Sequence, residues 1–202
     1  MENNIEQIKP SPDAFIDLKN ARNKAAKPML WAAIVSIIML FAGFTSAYIV
    51  RADNGNWLVF QLPSAFYLST AVIITSSITL FYGHQSAKKN NQKGIVVGLL
   101  LTFILGLLFT IFQFQGYSEL FSQKIVFAGK SANASGSFLY TITFIHLLHL
   151  FAGMIALFVT LIKGLKGRYN AQNMLGIELC SIYWHFLDIL WVYLFLFLYF
   201  FR

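Results

Sequence analysis

Long apolar runs separated by polar gaps make up most of this chain. Five runs reach the roughly 20 residues that a helix needs to cross a hydrocarbon core of about 30 Å. They are residues 29–50, 62–82, 94–114, 138–162 and 177–200. None alternates between apolar and polar positions as a half-buried strand does, and backbone polar groups in lipid must pair within their own segment. The pattern predicts an all-α integral membrane protein, a bundle of five transmembrane helices.

The polar stretches divide the chain into an extension and a membrane domain. Residues 1–28 hold four acids and five bases and contain no apolar core followed by a small-residue cleavage site. We therefore expect a polar extension that is mobile or lies on a surface, and no cleaved signal peptide. Residues 29–202 form the five-helix domain. Its connections are short except for 115–137, a polar loop of a length typical of functional or partner-contacting segments.

Lysine and arginine are unevenly distributed between the two sides of the predicted bundle. The extension, the 83–93 connection and the 163–176 connection together hold 11 of these bases, whereas the opposite side holds four. The positive-inside rule therefore predicts a cytoplasmic N-terminus and an outside C-terminus. We expect a multi-pass protein of the inner (cytoplasmic) membrane of the cell. The net charge of +7 comes from these topology-setting residues, so we expect no nucleic-acid partner.

Composition agrees with a membrane protein. Only 11% of the residues are charged, against about 25% in soluble domains. The single cysteine, Cys180, excludes an internal disulfide and a cysteine-rich metal site, and we expect it to be a core residue. The third run carries a small or hydroxyl residue at every fourth position, which predicts a stripe for close helix packing. The stripe consists of Gly94, Gly98, Thr102, Gly106 and Thr110.

Polar side chains inside the apolar runs are the candidates for function, because they are costly in the hydrocarbon. Four on the fifth run follow one another at steps of three or four residues and so share one helix face. They are Glu178, Ser181, His185 and Asp188. The fourth run places His146 and His149 one turn apart. We expect these two helices to pair, with the imidazoles contacting carboxylates or hydroxyls on the fifth.

Three interpretations of this cluster stay open from the residues alone. It is a satisfied polar network that fixes helix register, or part of a proton route or lipid head-group site, or a haem or metal site. Histidines do bind haem iron, and a pair from His146 and His185 is conceivable. His84 falls in the predicted loop after the second helix, where we expect a solvated residue.

The last helix resembles the C-terminal signature of cytochrome c oxidase subunit III, a Tyr-Trp-His-Phe-x-Asp-x-x-Trp pattern. The matching residues are Tyr183, Trp184, His185, Phe186, Asp188 and Trp191. The fourth helix is similar to that family's pattern of small residues and a Phe, then Thr, His-x-x-His and Gly. The residues in comparable places are Ser137, Phe138, Thr141, His146, His149 and Gly153. Weaker similarities lie in Thr75, Ser76, Ser77 and Thr79, and in Leu105, Gly106, Phe109 and Gln113. The resemblance covers residues 29–202 and matches the five-helix form of the family.

The resemblance implies a subunit without a redox centre of its own. It implies haems and copper in subunits I and II, no catalytic, metal-binding or cofactor-binding residue in this chain, and bound phospholipid. Subunit IV and a respiratory supercomplex are further expected partners. The implied role is to stabilise subunit I, hold phospholipid and keep proton uptake fast while the complex reduces oxygen to water and pumps protons.

Two departures and two alternatives accompany the resemblance. The family's membrane carboxylate after a serine is replaced here by Ile37, which puts a direct part in proton delivery in doubt, and a Glu-Tyr pair becomes Gly116-Tyr117.

The first alternative is a haem-binding membrane anchor of another electron-transfer complex. The second is a small transporter, which the single proline in the membrane region, Pro63 at a helix start, disfavours.

Overall fold

The computed structural model describes residues 12–53, 55, 57–59, 61–129, 133–170 and 172–201. They form five α-helices and, within these ranges, no strand. The helices are α1 (Pro12–Ala52), α2 (Ser64–Lys88), α3 (Gln92–Ser122), α4 (Ala134–Leu165) and α5 (Leu175–Phe200). Each contains a stretch long and apolar enough to cross a membrane. The predicted class, an all-α membrane protein with five transmembrane helices, is confirmed.

The helices extend beyond the apolar runs, and this corrects the predicted long loop. α3 continues to Ser122 and α4 begins at Ala134, so the connection is residues 123–133 and not 115–137. A helix does not end where the hydrocarbon ends, because its hydrogen bonds remain favourable in the interface. The extended stretches contain no proline, and the helices continue through Gly116 and Gly136. α1 likewise begins at Pro12, a residue suited to a first helical turn. Residues 12–28 thus continue α1, whereas the remainder of the predicted extension, 1–11, lies outside the described residues.

His84 does not lie in a loop. α2 continues to Lys88, which places His84 within its last two turns, partly buried. Its Nε2 atom is buried and has no hydrogen-bond partner among the described residues. The prediction of a solvated loop residue was wrong. The cause is the same as for the predicted long loop, because in both places the apolar run ends before the helix does.

α4 and α5 form the centre of the bundle. α5 packs against α1, α2 and α4, and α4 packs against α1, α3 and α5. Within the described residues, α1 contacts only α4 and α5, and α2 contacts only α3 and α5. The apolar stretches of α4 and α5 are accordingly 44% and 50% buried, against 22% for α1. The polar residues singled out in the sequence therefore lie on the two helices with the most protein neighbours.

The glycine stripe of α3 brings two backbones together, as predicted. A Cβ atom on Gly98 would lie 2.5 Å from the Cα of Gly83 on α2, a distance that real side chains do not tolerate. Beside this contact, the hydroxyls of Thr79 and Thr102 lie 2.8 Å apart and form a hydrogen bond between α2 and α3. Close backbone approach of this kind is how helices gain packing energy in lipid. It fixes α2 where its hydroxyl groups can meet α5.

Candidate functional site

Asp188 and His185 of α5 meet the same serine of α2. The Ser77 hydroxyl donates to Asp188 Oδ2, and Ser77 Oγ lies 2.9 Å from His185 Nδ1. A hydroxyl group has only one proton to donate. Because Ser77 donates it to Asp188, the hydrogen bond between Ser77 and His185 must be donated by His185 Nδ1. Asp188 is buried, with 3% of its surface exposed. Ser77 therefore connects two polar groups that would otherwise be costly at this depth.

Two buried tryptophans of the same helix donate to further α2 hydroxyls. Trp184 Nε1 donates to Ser76 Oγ at 3.0 Å, and Trp191 Nε1 donates to Thr70 Oγ1 at 3.0 Å. Both indole rings are fully buried, and a buried indole N–H normally needs a partner. Together with Ser77, these contacts place hydrogen bonds along the α2–α5 interface for about two helical turns.

Trp184 also occupies space that glycines leave open on two other helices. A Cβ on Gly106 of α3 would come within 2.8 Å of the Trp184 ring, and a Cβ on Gly153 of α4 would lie 3.5 Å from it. With its bond to Ser76, Trp184 contacts α2, α3 and α4 at once. Trp184 and Met154 Sδ, 2.6 Å from the same Cβ position, explain the glycine at 106. At Gly153 a Cβ would meet Leu187 Cδ1 at 3.0 Å, more closely than the Trp184 ring.

The two histidines of α4 do not pair with α5 as predicted. His149 Nδ1 lies 2.8 Å from the carbonyl oxygen of Ile145 in its own helix, and the Tyr183 hydroxyl donates to the His149 carbonyl rather than to its ring. Among the described residues, neither nitrogen of His146 has a hydrogen-bond partner. The prediction of imidazole contacts to carboxylates or hydroxyls of α5 was wrong. Residue spacing assigns Asp188 to a face of α5, but only packing decides that α2 covers that face.

Aromatic rings enclose His146. Its ring centroid lies 6.4 Å from that of Phe41, 6.2 Å from that of Phe109 and 5.2 Å from that of Trp191. These rings come from α1, α3 and α5, and none of the His146 surface is exposed. With none of its surface exposed, His146 presents no nitrogen to a haem in this packing, and His185 Nδ1 is hydrogen-bonded to Ser77. The geometry does not fit the His146–His185 haem pair.

Glu178 and Ser181, the remaining predicted site residues, lie apart from the Ser77 contacts. Glu178 Oε2 lies 2.6 Å from Lys27 Nζ, an ion pair that joins the first turn of α5 to α1 with both side chains partly exposed. Ser181 is buried one turn further along α5. Within the described residues, no group of three or more His, Cys, Asp or Glu side chains could hold a metal ion. Cys180 is free and buried, as predicted.

Sequence reasoning missed the α2 partners and one helix cap. Thr70, Ser76 and Ser77 gave a usable signal, a cluster of hydroxyls within an apolar run, but it was assigned no role. The helix cap gave no such signal in the sequence. Glu119, near the end of α3, accepts hydrogen bonds from the Ser64 backbone N–H at 2.8 Å and from the Ser64 hydroxyl. A carboxylate there satisfies one of the free N–H groups at the start of α2, that of Ser64.

Comparison with known proteins gives the family. The family model described as cytochrome c oxidase subunit III matches residues 58–202. The chain is 31% identical over 140 residues to cytochrome c oxidase subunit 3 of Spodoptera frugiperda, covering 69% of this chain and 89% of that protein. Over 180 residues it is 32% identical to the Pelomedusa subrufa protein of the same name and 33% identical to that of Rattus norvegicus. Both alignments cover 82% of this chain and 66% of the relative, slightly under two thirds of its length. The chain is a multi-pass membrane protein that belongs to the cytochrome c oxidase subunit III family.

Proposed function

We propose that this chain is the accessory subunit III of a haem-copper terminal oxidase, with no redox centre of its own. The observation that carries the proposal is the α2–α5 interface, where Trp184, Trp191 and Asp188 of the family signature bond to α2 hydroxyls. Groups that serve packing in this way favour a scaffold over a site of electron transfer. The relatives' printed name, cytochrome c oxidase subunit 3, supports the same role.

The chemistry then belongs to partner subunits. Subunits I and II would hold the haems and copper, reduce oxygen to water and pump protons, with subunit IV and a respiratory supercomplex as further partners. The part of this chain is to present a rigid helical surface in the membrane. Its central helices are fixed from inside by the Ser77 and Trp184 contacts, which leaves the outer faces free for subunit I and for phospholipid.

Orientation and location follow from the distribution of charge. The N-terminus of α1, the α2–α3 connection and the α4–α5 connection lie on one side of the bundle, and they carry most of the lysine and arginine. We propose that this side faces the cytoplasm, as the positive-inside rule favours, and that the chain lies in the inner membrane of the cell. At Ile37, partly buried against the core, the family's carboxylate is missing. This shifts the proposed role from proton uptake toward stabilising subunit I and binding lipid.

A tagged pull-down of the full chain in mild detergent tests the proposal, with mass spectrometry and a visible spectrum of the eluate. We expect the oxidase subunits and a haem spectrum to co-elute, and the chain expressed alone to elute without a haem band. Asp188→Ala should reduce co-elution because it weakens the α2–α5 interface, whereas the exposed Lys89→Gln should not. A stoichiometric haem band on the lone chain, lost in His146→Ala, would overturn the proposal and favour the haem-binding anchor, which the comparisons do not support.

A further inference from the structure

A polar pocket of about 730 Å³ lies at the end of the bundle where α3 ends and α2 begins. Its lining includes Glu119 of α3, Ser64 and Tyr67 of α2, and the side chains of Gln61 and Gln123, and we call it the Glu119 pocket. A second concavity of about 300 Å³ adjoins it and shares Gln61 and Gln123. Together they have the volume of sites that bind a ligand or several side chains, and far exceed what a single ion needs.

The carboxylate of Glu119 sets the charge of this pocket. Of the described residues that line it, Glu119 alone is charged. Its oxygens accept from the backbone N–H and the hydroxyl of Ser64, but an ionised carboxylate offers about four lone-pair sites. Within the described part of the chain, Glu119 forms no ion pair. The carboxylate therefore has capacity left for a cationic donor.

The side chains around Glu119 suit a lysine or an arginine. Rings of α5 pack edge-on against Tyr67, with centroids 5.1 Å away for Phe195 and 6.4 Å away for Tyr199. A cation within about 6 Å of an aromatic face is attracted to it. Gln61 and Gln123 are exposed, and their amide oxygens can accept from an ammonium or guanidinium group. A single carboxylate is too few for Ca²⁺ or Mg²⁺, which need several oxygen ligands in a fixed geometry.

The segment that leads into α2 presents apolar side chains beside the pocket. Leu58 and Val59 line the adjoining concavity and are 45% and 70% exposed. Residues 57–59 and 61–63 are not helical, and an irregular backbone cannot face the hydrocarbon. The segment therefore lies at or beyond the membrane–water interface. Apolar side chains exposed at such a place are typical of a surface that another protein covers.

We propose that the Glu119 pocket docks an extramembrane segment of a partner subunit, which inserts a lysine or arginine side chain against Glu119. An apolar neighbour of that base in the partner segment packs on Leu58 and Val59. The apolar rim favours a polypeptide over a small cation, since a small cation would leave the rim uncovered. The inference rests on the proposed function, because it assigns one subunit contact of the complex a place and a charge.

Photocross-linking in the purified complex identifies the occupant. p-Benzoylphenylalanine in place of Gln123 should cross-link to a segment of another oxidase subunit that lies outside the membrane and contains a lysine or arginine. Glu119→Gln should lower the yield about threefold, the factor expected for an ion pair between partly exposed groups. The control places the same group at Phe121, which is exposed on α3 outside the pocket, and its yield should not respond to Glu119→Gln.

Three results of the cross-linking would overturn the inference. They are a product segment without a basic residue, a product formed only between two copies of this chain, and the absence of any polypeptide product.

A salt series separates the charge of Glu119 from its role at the start of α2. Glu119→Gln keeps an acceptor for the Ser64 N–H and loses only the charge. The fraction of the unmodified chain that stays with the oxidase subunits should fall as salt rises, whereas Glu119→Gln should dissociate more at low salt and respond less to added salt. Asp53→Asn, an exposed acid at the same end of the bundle but outside the pocket, should follow the unmodified chain. Identical series for Glu119→Gln and the unmodified chain would contradict the docking of a base.

The partner found by cross-linking also separates this inference from the proposed function. A base-containing extramembrane segment of a complex without haem contradicts only the proposed function. A chain that co-elutes with haem-containing oxidase subunits, but gives no cross-link from position 123 to a basic segment, contradicts only the docking site.

Discussion

The α2–α5 interface and the surroundings of His146 contain similar residue types but differ in how their polar atoms are satisfied. At the interface, the Ser77 hydroxyl joins Asp188 and His185, and Trp184 donates to Ser76. Of the Asp188 carboxyl, Oδ2 is bonded in this way, whereas the buried Oδ1 has no hydrogen-bond partner within the described residues. His146, on the neighbouring helix, lies among three aromatic rings, and neither of its nitrogens has a hydrogen-bond partner within the described residues. Burial alone therefore does not tell whether a polar group in the membrane stabilises the bundle.

The two regions should respond differently to mutation. Hydrogen bonds between membrane helices contribute about 0.6 kcal/mol on average and up to about 1.7 kcal/mol. A buried polar group without a partner instead costs about 1–3 kcal/mol. Removing a group at the α2–α5 interface should lower the free energy of unfolding, whereas removing the imidazole of His146 should not.

Trp184→Ala should have the largest effect. The ring fills the space between Gly106 and Gly153 and donates to Ser76, so its loss removes packing against three helices. Truncating a buried Trp costs about 3–5 kcal/mol. We expect a loss of this size in the unfolding free energy, measured by denaturant titration in mixed micelles.

Two further variants separate the contributions of Trp184. Trp184→Phe keeps an aromatic ring and should cost less than Trp184→Ala, and Trp31→Ala, at an exposed position on α1, should cost little. Equal losses in Trp31→Ala and Trp184→Ala would show that α5 is not fixed by this contact.

A pair of double-mutant cycles tests which helix Asp188 is coupled to. Ser77→Ala and Asp188→Ala should show a coupling energy of about 1 kcal/mol, because each removes the same hydrogen bond. His149→Ala and Asp188→Ala should be additive within about 0.5 kcal/mol, because the His149 ring bonds within its own helix. Both cycles use the same unfolding titration. Strong coupling to His149 with none to Ser77 would restore the α4–α5 pairing that the sequence suggested.

The sequence could predict what each helix determines by itself, but not which helices their polar side chains contact. The number and type of helices follow from the apolar runs, because a backbone in lipid has few ways to satisfy its polar groups. The α3 stripe follows from its fourfold spacing. The partner of Asp188 does not follow, because α2 carries several hydroxyls, and most serine and threonine hydroxyls in this bundle bond to their own helix, as Thr75 does to Ala71. His84 and Glu119 were misplaced because helices continue past the hydrocarbon, where hydropathy gives no signal.

The ion pair of Glu178 with Lys27 should contribute less than the Ser77 contacts. Both side chains are partly exposed, so water screens their attraction, and pairs of this kind contribute about 0.2–1 kcal/mol. Lys27→Gln should lower the unfolding free energy by an amount in this range at low salt and by less at high salt. Lys24→Gln, at an exposed position of the same helix, is the control. A loss in Lys27→Gln that does not change with salt would indicate a role other than the ion pair.

The smallest effect, and the one that most sharply separates the two regions, is expected for His146→Phe. The phenyl ring has nearly the shape of imidazole. The substitution removes two buried nitrogens that have no hydrogen-bond partner in the part of the chain that the structure describes, a change that is neutral or stabilising when packing is preserved. The slightly larger ring offsets part of the gain, so we expect an unfolding free energy within about 0.5 kcal/mol of the unmodified chain. His149→Phe is the matched control, and it should be destabilising because it loses the bond to the Ile145 carbonyl. If His146→Phe were the more destabilising of the two, the His146 imidazole would have to bind a polar group. The α2–α5 interface and the surroundings of His146 would then both contain hydrogen-bonded polar groups and would differ only in which groups they bind.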